Sequence, residues 1–168
     1  MTGPIPSRSD ELVGLVPRLR RFARTLTRTA ADADDLVQIA LERALMNMDR
    51  LEPDSRLDSW MFRIIRNAWI DETRSRGRWS TVLAPEEAGQ NVGESTTDAQ
   101  ISLLSVQAAM ASLPEDQRLA VALVLVEGLS YKQAATVLDV PVGTLTSRLA
   151  RGREALQGIL SDGEGVPR

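Results

Sequence analysis

The chain has 168 residues, enough for one ordinary domain or two small ones, and its 43% hydrophobic and 26% charged residues are a globular balance. It contains no His and no Cys, which excludes thiol nucleophiles, imidazole bases, His-based triads, disulfides and zinc sites built from Cys or His. The net charge of −3 hides an uneven distribution: residues 1–78 carry 14 Arg against 12 acids, residues 79–100 carry four acids and no base, and residues 130–157 return to an excess of two positive charges.

Of the 20 basic residues only Lys132 is not Arg. A GC-rich coding sequence explains that, and so does forked binding of phosphate or carboxylate. No apolar run is long enough to span a membrane, and Met1 to Arg8 lack the apolar core of a signal peptide, so a cytoplasmic location is expected.

Helical periodicity dominates. Leu12, Leu15, Val16, Leu19, Phe22, Ala23 and Leu26 follow the i, i+3, i+4, i+7 rule and predict a first amphipathic helix with Arg18, Arg20, Arg21, Arg24 and Arg28 mostly on other faces. A second is predicted to open at Asp32 as its cap, with Leu36, Val37, Ala40, Leu41, Ala44, Leu45 and Met48 as its apolar face. Residues 49–56, broken by Pro53, read as a loop. A third helix then carries Leu57, Trp60, Met61, Ile64, Ile65, Ala68 and Trp69 on one face. Arg63, Arg66, Asn67, Arg74, Arg76 and Arg78 share this segment with Trp60, Trp69 and Trp79. Aromatics among arginines can stack unpaired bases, although Trp60 and Trp69 lie on the apolar stripe and suit core packing.

Residues 80–100 lose the pattern and read as an extended or weakly ordered linker. Helical pattern resumes at Ile101. Pro114 suits a first helical turn, the apolar run from Leu119 to Val126 suits a buried helix, and Gly128 is placed to end it. Ser130-Tyr131-Lys132-Gln133 is a capping box. Ala135 where helices cross, Asp139 at a left-handed turn and Leu145 in the next helix have helix-turn-helix spacing, which an ordinary helical hairpin also satisfies. The last helix is expected to bury Leu145, Leu149, Gly152, Leu156 and Ile159. It would turn Thr144, Thr146, Ser147, Arg148 and Arg151 outward, where hydroxyls and guanidiniums suit phosphates and base edges. Taken alone, Arg148, Arg151 and Arg153 better suit a solvated face or pairing with Glu154 and nearby acids; the separate Arg and Trp cluster at 57–79 shifts the balance toward DNA.

Five stretches, 32–38, 57–72, 113–118, 127–131 and 141–149, resemble in order the extracytoplasmic-function (ECF) group of bacterial RNA polymerase sigma factors. The resemblance spans residues 9–160 and implies an all-α fold of two small helical domains. A three-helix sigma-two bundle (9–78) would serve the polymerase core and the −10 element. A flexible acidic linker (79–100) would join it to a helix-turn-helix sigma-four domain (101–160) for the −35 element. It further implies contact of Asp34, Asp35, Gln38, Glu42 and Arg43 with the polymerase β′ clamp helices, and of the sigma-four domain with the β flap. Arg50, Ser55, Arg56, Arg63, Arg66, Asn67, Arg74, Arg76 and Arg78 would hold the melted −10 strand, with residues 49–56 forming the pocket for a flipped base. Lys132, Thr144, Thr146, Ser147, Arg148 and Arg151 would read the −35 groove. The linker would thread a positively lined polymerase channel, and an anti-sigma factor is the expected regulator. Two departures stand out: Thr146 where the family usually has Lys, and Asp139 where it usually has Gly.

No catalytic role, cofactor or metal is expected, because the acids are scattered over helix faces and no Gly-rich phosphate loop is present. A stand-alone helix-turn-helix regulator would leave the Trp and Arg cluster at 57–79 and the acidic helix unexplained; a helical protein that only engages an anti-sigma factor, as a decoy, is a third reading, and promoter-specific run-off transcription separates all three.

Overall fold

A computed structural model describes residues 7–79 and 98–163, with side chains at 7–77 and 105–162; the described residues are helical and contain no strand. The proposed linker therefore lies, but for its ends, outside the described residues, as do the side chains of Arg78 and Trp79.

Helix α1 (Arg8–Leu26) starts from a reciprocal box in which the Ser7 hydroxyl accepts from the Asp10 amide and the Asp10 carboxylate accepts from the Ser7 amide. The Ser7 bonds hold the Asp10 carboxyl below its ordinary pKa. Helix α2 (Ala30–Asn47) begins a turn earlier than expected. Thr29, not Asp32, is its cap: the Thr29 hydroxyl accepts from the Asp32 amide at 3.0 Å. Ala30 and Ala31 are good helix formers and extend the helix backward, which leaves the Asp32 carboxylate in the first turn, favoured there by the helix dipole. A 3-10 turn (Met48–Arg50) leads into the 51–56 loop, and α3 (Leu57–Trp79) closes the three-helix bundle. Its core is Leu19, Phe22, Ala23, Leu36, Ala40, Met61, Phe62 and Ile65, with Phe22 and Phe62 edge to face at 5.0 Å. Trp69 is buried and Trp60 half-buried against this core. Leu45, expected inside, is 62% exposed beside Met46 at 82%. Position 45 lies on the outer edge of the apolar stripe, where no neighbouring helix covers it.

The second group of helices is α4 (Asp98–Ser112), α5 (Glu115–Val121), α6 (Tyr131–Leu138) and α7 (Val142–Gly163). Pro114 stands at the cap of α5 rather than inside its first turn. The apolar run does not continue as one buried helix. A π-turn (Ala122–Val126) follows α5, the Glu127 amide bonding to Ala122 O at 2.9 Å, and the wider turn rotates Leu125 and Val126 to the surface. Gly128 then reverses the chain at φ +72°.

The Ser130 box forms as read, and α6 ends at Asp139 in the left-handed region, φ 55° and ψ 48°. The Asp139 and Val140 amides close the helix on Thr136 O and Ala135 O. Helix α7 lies against α5 at Gly152, where a Cβ atom would sit 2.7 Å from Val121 Cγ2 and 3.3 Å from Gln117 O. Leu145, Leu149 and Gly152 are buried and Leu156 half-buried, but Ile159 is exposed, because α7 has by then run past the helices it packs on.

The two groups of helices touch. Helix α6 packs on α3, and α1 packs on α4, α5 and the π-turn.

Candidate nucleic-acid interface

Side chains of α3 at positions 59, 60, 63, 66, 67, 70 and 74 fall within one face at 3.6 residues per turn. Ser59, Trp60, Arg63, Arg66, Asn67 and Arg74 therefore share a polar and aromatic surface. Arg63, Asn67 and Arg74 are exposed, and Arg66 is half-buried, giving an N–H to Asn67 Oδ1 at 3.2 Å. Arg76 leaves this face. It turns toward α2 and lies 3.7 Å from Asp32.

The 51–56 loop sits at the start of the same surface, with Arg50 exposed just before it. Arg8, from the first turn of α1, donates to three of its main-chain carbonyls: Glu52 O, Pro53 O and Ser55 O. An open cavity of about 730 Å³ lies between α1 and the loop, lined by Arg8, Glu11, Leu15, Arg18, Pro53, Ser55, Arg56, Leu57 and Asp58. Asp58 anchors its floor. Its carboxylate accepts two N–H bonds from Arg56, at 3.1 and 2.9 Å, one from Arg18 at 3.3 Å and one from the Ser59 amide at 2.8 Å. Burial raises the Asp58 pKa, but the Arg56, Ser59 and Arg18 contacts outweigh it and hold the carboxyl below its ordinary range.

At the start of α7, Thr146 and Ser147 are exposed, their hydroxyls donating to Val142 O and Gly143 O. Thr144 is half-buried and Arg151 exposed. Arg148 lies 3.4 Å from Asp116 of α5, the acid pairing left open by the sequence. Lys132 sits apart from these residues, exposed on α6 and facing α3: with Gln133, Thr136 and Val137 it lines a cavity of about 360 Å³ opposite Leu51, Arg56, Trp60 and Arg63.

On α2, Asp34, Asp35, Gln38 and Glu42 are exposed, and spacings of three and four residues carry the same face on to Leu45 and Met46. Asp34 pairs with Arg20 at 3.3 Å and Arg43 with Asp71 at 3.0 Å. Sequence reasoning missed the apolar end of this stripe.

It also missed Glu127, whose side chain is fully buried between the two groups of helices. Arg21 grips its carboxylate with two N–H bonds of 2.9 Å, and Arg18 adds one at 3.3 Å. The bonds to Glu127 raise the Arg21 pKa further. An acid within an apolar segment was the available signal, but nothing local pointed to partners in α1.

Among the described residues no group of acids is arranged to hold a metal ion, and no helix is long and apolar enough to cross a membrane. A bundle with an Arg-lined loop cavity, followed by a helix-turn-helix, is the pair of modules found in sigma-70 type initiation factors. Residues 13–78 match the family Sigma-70 region 2, and residues 103–156 match Sigma-70, region 4. The chain is 38% identical over 151 residues to the ECF RNA polymerase sigma factor EcfG of Rhodopseudomonas palustris (strain TIE-1), covering 90% of this chain and 83% of that one. It is 34% identical to the ECF RNA polymerase sigma-E factor of Escherichia coli (strain K12), over 76% and 73% of the two chains. Its fold superposes with a TM-score of 0.77, at 34% identity, on the sigma factor RpoE of Bartonella quintana in complex with the anti-sigma factor NepR, covering 91% of this chain and 96% of that one. The protein belongs to the ECF sigma factors, which direct promoter-specific transcription and are initiation factors rather than enzymes.

Proposed function

We propose that this chain binds the RNA polymerase core and brings it to promoters by holding a melted −10 strand and reading a −35 duplex. Residues 9–78 would serve the core and the −10 element, residues 101–160 the −35 element, with 79–100 as the connection through the polymerase. The observation that carries the reading is the continuity of the Arg8-pinned loop cavity with the Trp60, Arg63, Asn67 and Arg74 face: a pocket and a cationic stacking track in line suit one flipped base and the strand that follows it.

In this reading Arg50, Ser55, Arg56 and Arg66 complete the −10 surface, while Arg76, paired with Asp32, contributes less. Thr144, Thr146, Ser147, Arg148 and Arg151 approach the −35 groove, and Lys132 a flanking phosphate. The stripe from Asp34 through Gln38 and Glu42 to Leu45 and Met46 offers acids and an apolar end to a basic, amphipathic partner helix, which suits the β′ clamp helices; Arg43 borders it. The C-terminal helices would meet the β flap. A cytoplasmic site of action follows from the polymerase itself. The likeness to a sigma factor bound by an anti-sigma factor supports a regulator of that kind here.

Run-off transcription with purified core polymerase tests the proposal. Promoter-specific transcripts are expected, reduced at least tenfold by R63A/R74A through open-complex formation and by R151A through closed-complex formation. Promoter-specific operator binding without any gain in transcription would point instead to a stand-alone regulator.

A further inference from the structure

Arg18 and Arg21 lie three residues apart on α1, so both guanidiniums reach over the same edge of the helix. What they hold is a single carboxylate from the other module. Glu127 sits between them, its side chain fully buried, with a two-bond fork to Arg21 at 2.9 Å and a bond to Arg18 at 3.3 Å; Arg18 also donates to Glu127 O at 3.1 Å. Its other polar and ring contacts among the described residues are within the N-terminal module: Asp58 at 3.3 Å, and the Phe62 ring with its centroid 5.3 Å away. Taking Glu127 away would leave a preformed pair of guanidiniums, of which Arg18 also lines the loop cavity. A guanidinium fork that fits a carboxylate fits two phosphate oxygens equally well.

The arrangement that seats Glu127 also covers the −10 surface, since Lys132, Gln133 and Thr136 face Arg56, Trp60 and Arg63 across a narrow cavity. Elements named −35 and −10 are about 25 base pairs apart, or about 85 Å of duplex at ~3.4 Å per base pair. Modules in mutual contact cannot read both, so promoter binding requires them to part, and parting must strip Glu127 of its partners.

We infer that the Arg18 and Arg21 pair is a phosphate site for single-stranded promoter DNA, and that Glu127 occupies it in place of a phosphate while the modules are closed. Opening and strand binding are then one exchange. The carboxylate gains water, the guanidiniums exchange one anion for another, and neither is left buried without a partner. The inference rests on the reading of the α3 face as the −10 surface.

The test uses the full chain with cysteines introduced at the exposed Ala31 and Ala150, one in each module, labelled for distance measurement; the native sequence has no competing thiol. Binding is followed with fluorescein-labelled dT12. E127Q keeps the side chain's shape and removes its charge. It is expected to lengthen the mean label distance and to bind dT12 at least fivefold more tightly, with a salt dependence steeper by ~0.7 per phosphate engaged.

R18Q/R21Q removes the other half of the contact from the surface of α1, so it reads the opening even if E127Q folds poorly. It should lengthen the distance as much but gain less dT12 affinity than E127Q, only what the uncovered α3 face supplies; adding it to E127Q should lower the gain to that same level. An unchanged distance in both variants overturns the latch, and a gain in the combined variant as large as in E127Q alone overturns the phosphate site. R63A separates these from failure of the underlying reading: if R63A weakens dT12 binding and R18Q/R21Q does not, the −10 surface stands and this inference falls. If neither does, the −10 surface itself is misplaced.

Discussion

Arg148, the first cation of helix α7, lies 3.4 Å from Asp116 of α5, so it is tied to its own module before any duplex arrives. Both side chains are partly exposed, and a pair of this kind contributes at most ~1 kcal/mol to stability. On the proposed reading of α7 its larger effect would be on DNA, because Asp116 would compete with phosphate for the same guanidinium. D116N is expected to leave the melting temperature within about 2 °C and to raise affinity for a −35 duplex two- to fivefold. The salt slope should steepen by up to ~0.9. Anisotropy titrations at several salt concentrations check this.

Gly152 marks a close approach of α7 to α5. Alanine would gain ~1 kcal/mol of helix propensity but would place a methyl group 2.7 Å from Val121 Cγ2 and 3.3 Å from a main-chain oxygen. Overpacking of this kind costs ~1–3 kcal/mol and neither neighbour can swing away freely. G152A should therefore lower stability by a net ~1–2 kcal/mol in urea unfolding. Because the strain falls on the helix proposed to enter the −35 groove, −35 binding should weaken as well.

The Asp58 carboxyl has its pKa depressed in the folded chain, so its contribution is present above the ordinary Asp value and is lost as pH falls through the lowered one. D58N leaves Arg18 and Arg56 without their shared anion. We expect it to cost ~1–2 kcal/mol at pH 7. The difference from wild type should shrink steadily on acidification below about pH 4. Unfolding of both proteins between pH 3 and pH 7 checks the sign: a deficit that grows toward acid contradicts it.

Asp139 adopts φ 55°, where glycine is unstrained and aspartate is merely tolerated. D139G should raise stability by ~0.5–1 kcal/mol. It also removes an anion beside the helix-turn-helix, so affinity for −35 duplex should rise at low salt, and the two effects are separable by measuring binding well below the melting temperature.

The helices were legible because their apolar positions repeat every 3.6 residues, and local chemistry placed the Ser130 box, the Gly128 reversal and the Asp139 turn. Errors arose where sequence pattern alone does not tell a core position from an exposed one. Leu45 and Ile159 have the spacing of buried residues, yet no helix covers them. Arg76 looked like part of a cationic run until the helical turn carried it toward Asp32. Glu127 was illegible for a different reason: its partners lie 106 and 109 residues earlier, and no local pattern encodes a pairing over that distance.

The grip of Arg8 on the 51–56 loop is made entirely through main-chain oxygens, at Glu52, Pro53 and Ser55. A clamp on carbonyls is indifferent to the side chains those residues carry. The loop can therefore exchange Asp54 or Ser55 for other residues and keep this hold, whereas Arg56 is fixed through its own bonds to Asp58; any preference of the proposed pocket for a base can change at those two positions without refolding it. The same clamp sets a boundary: a fragment trimmed to begin at residue 9 retains nearly all of three helices but lets go of the loop that one of them was holding.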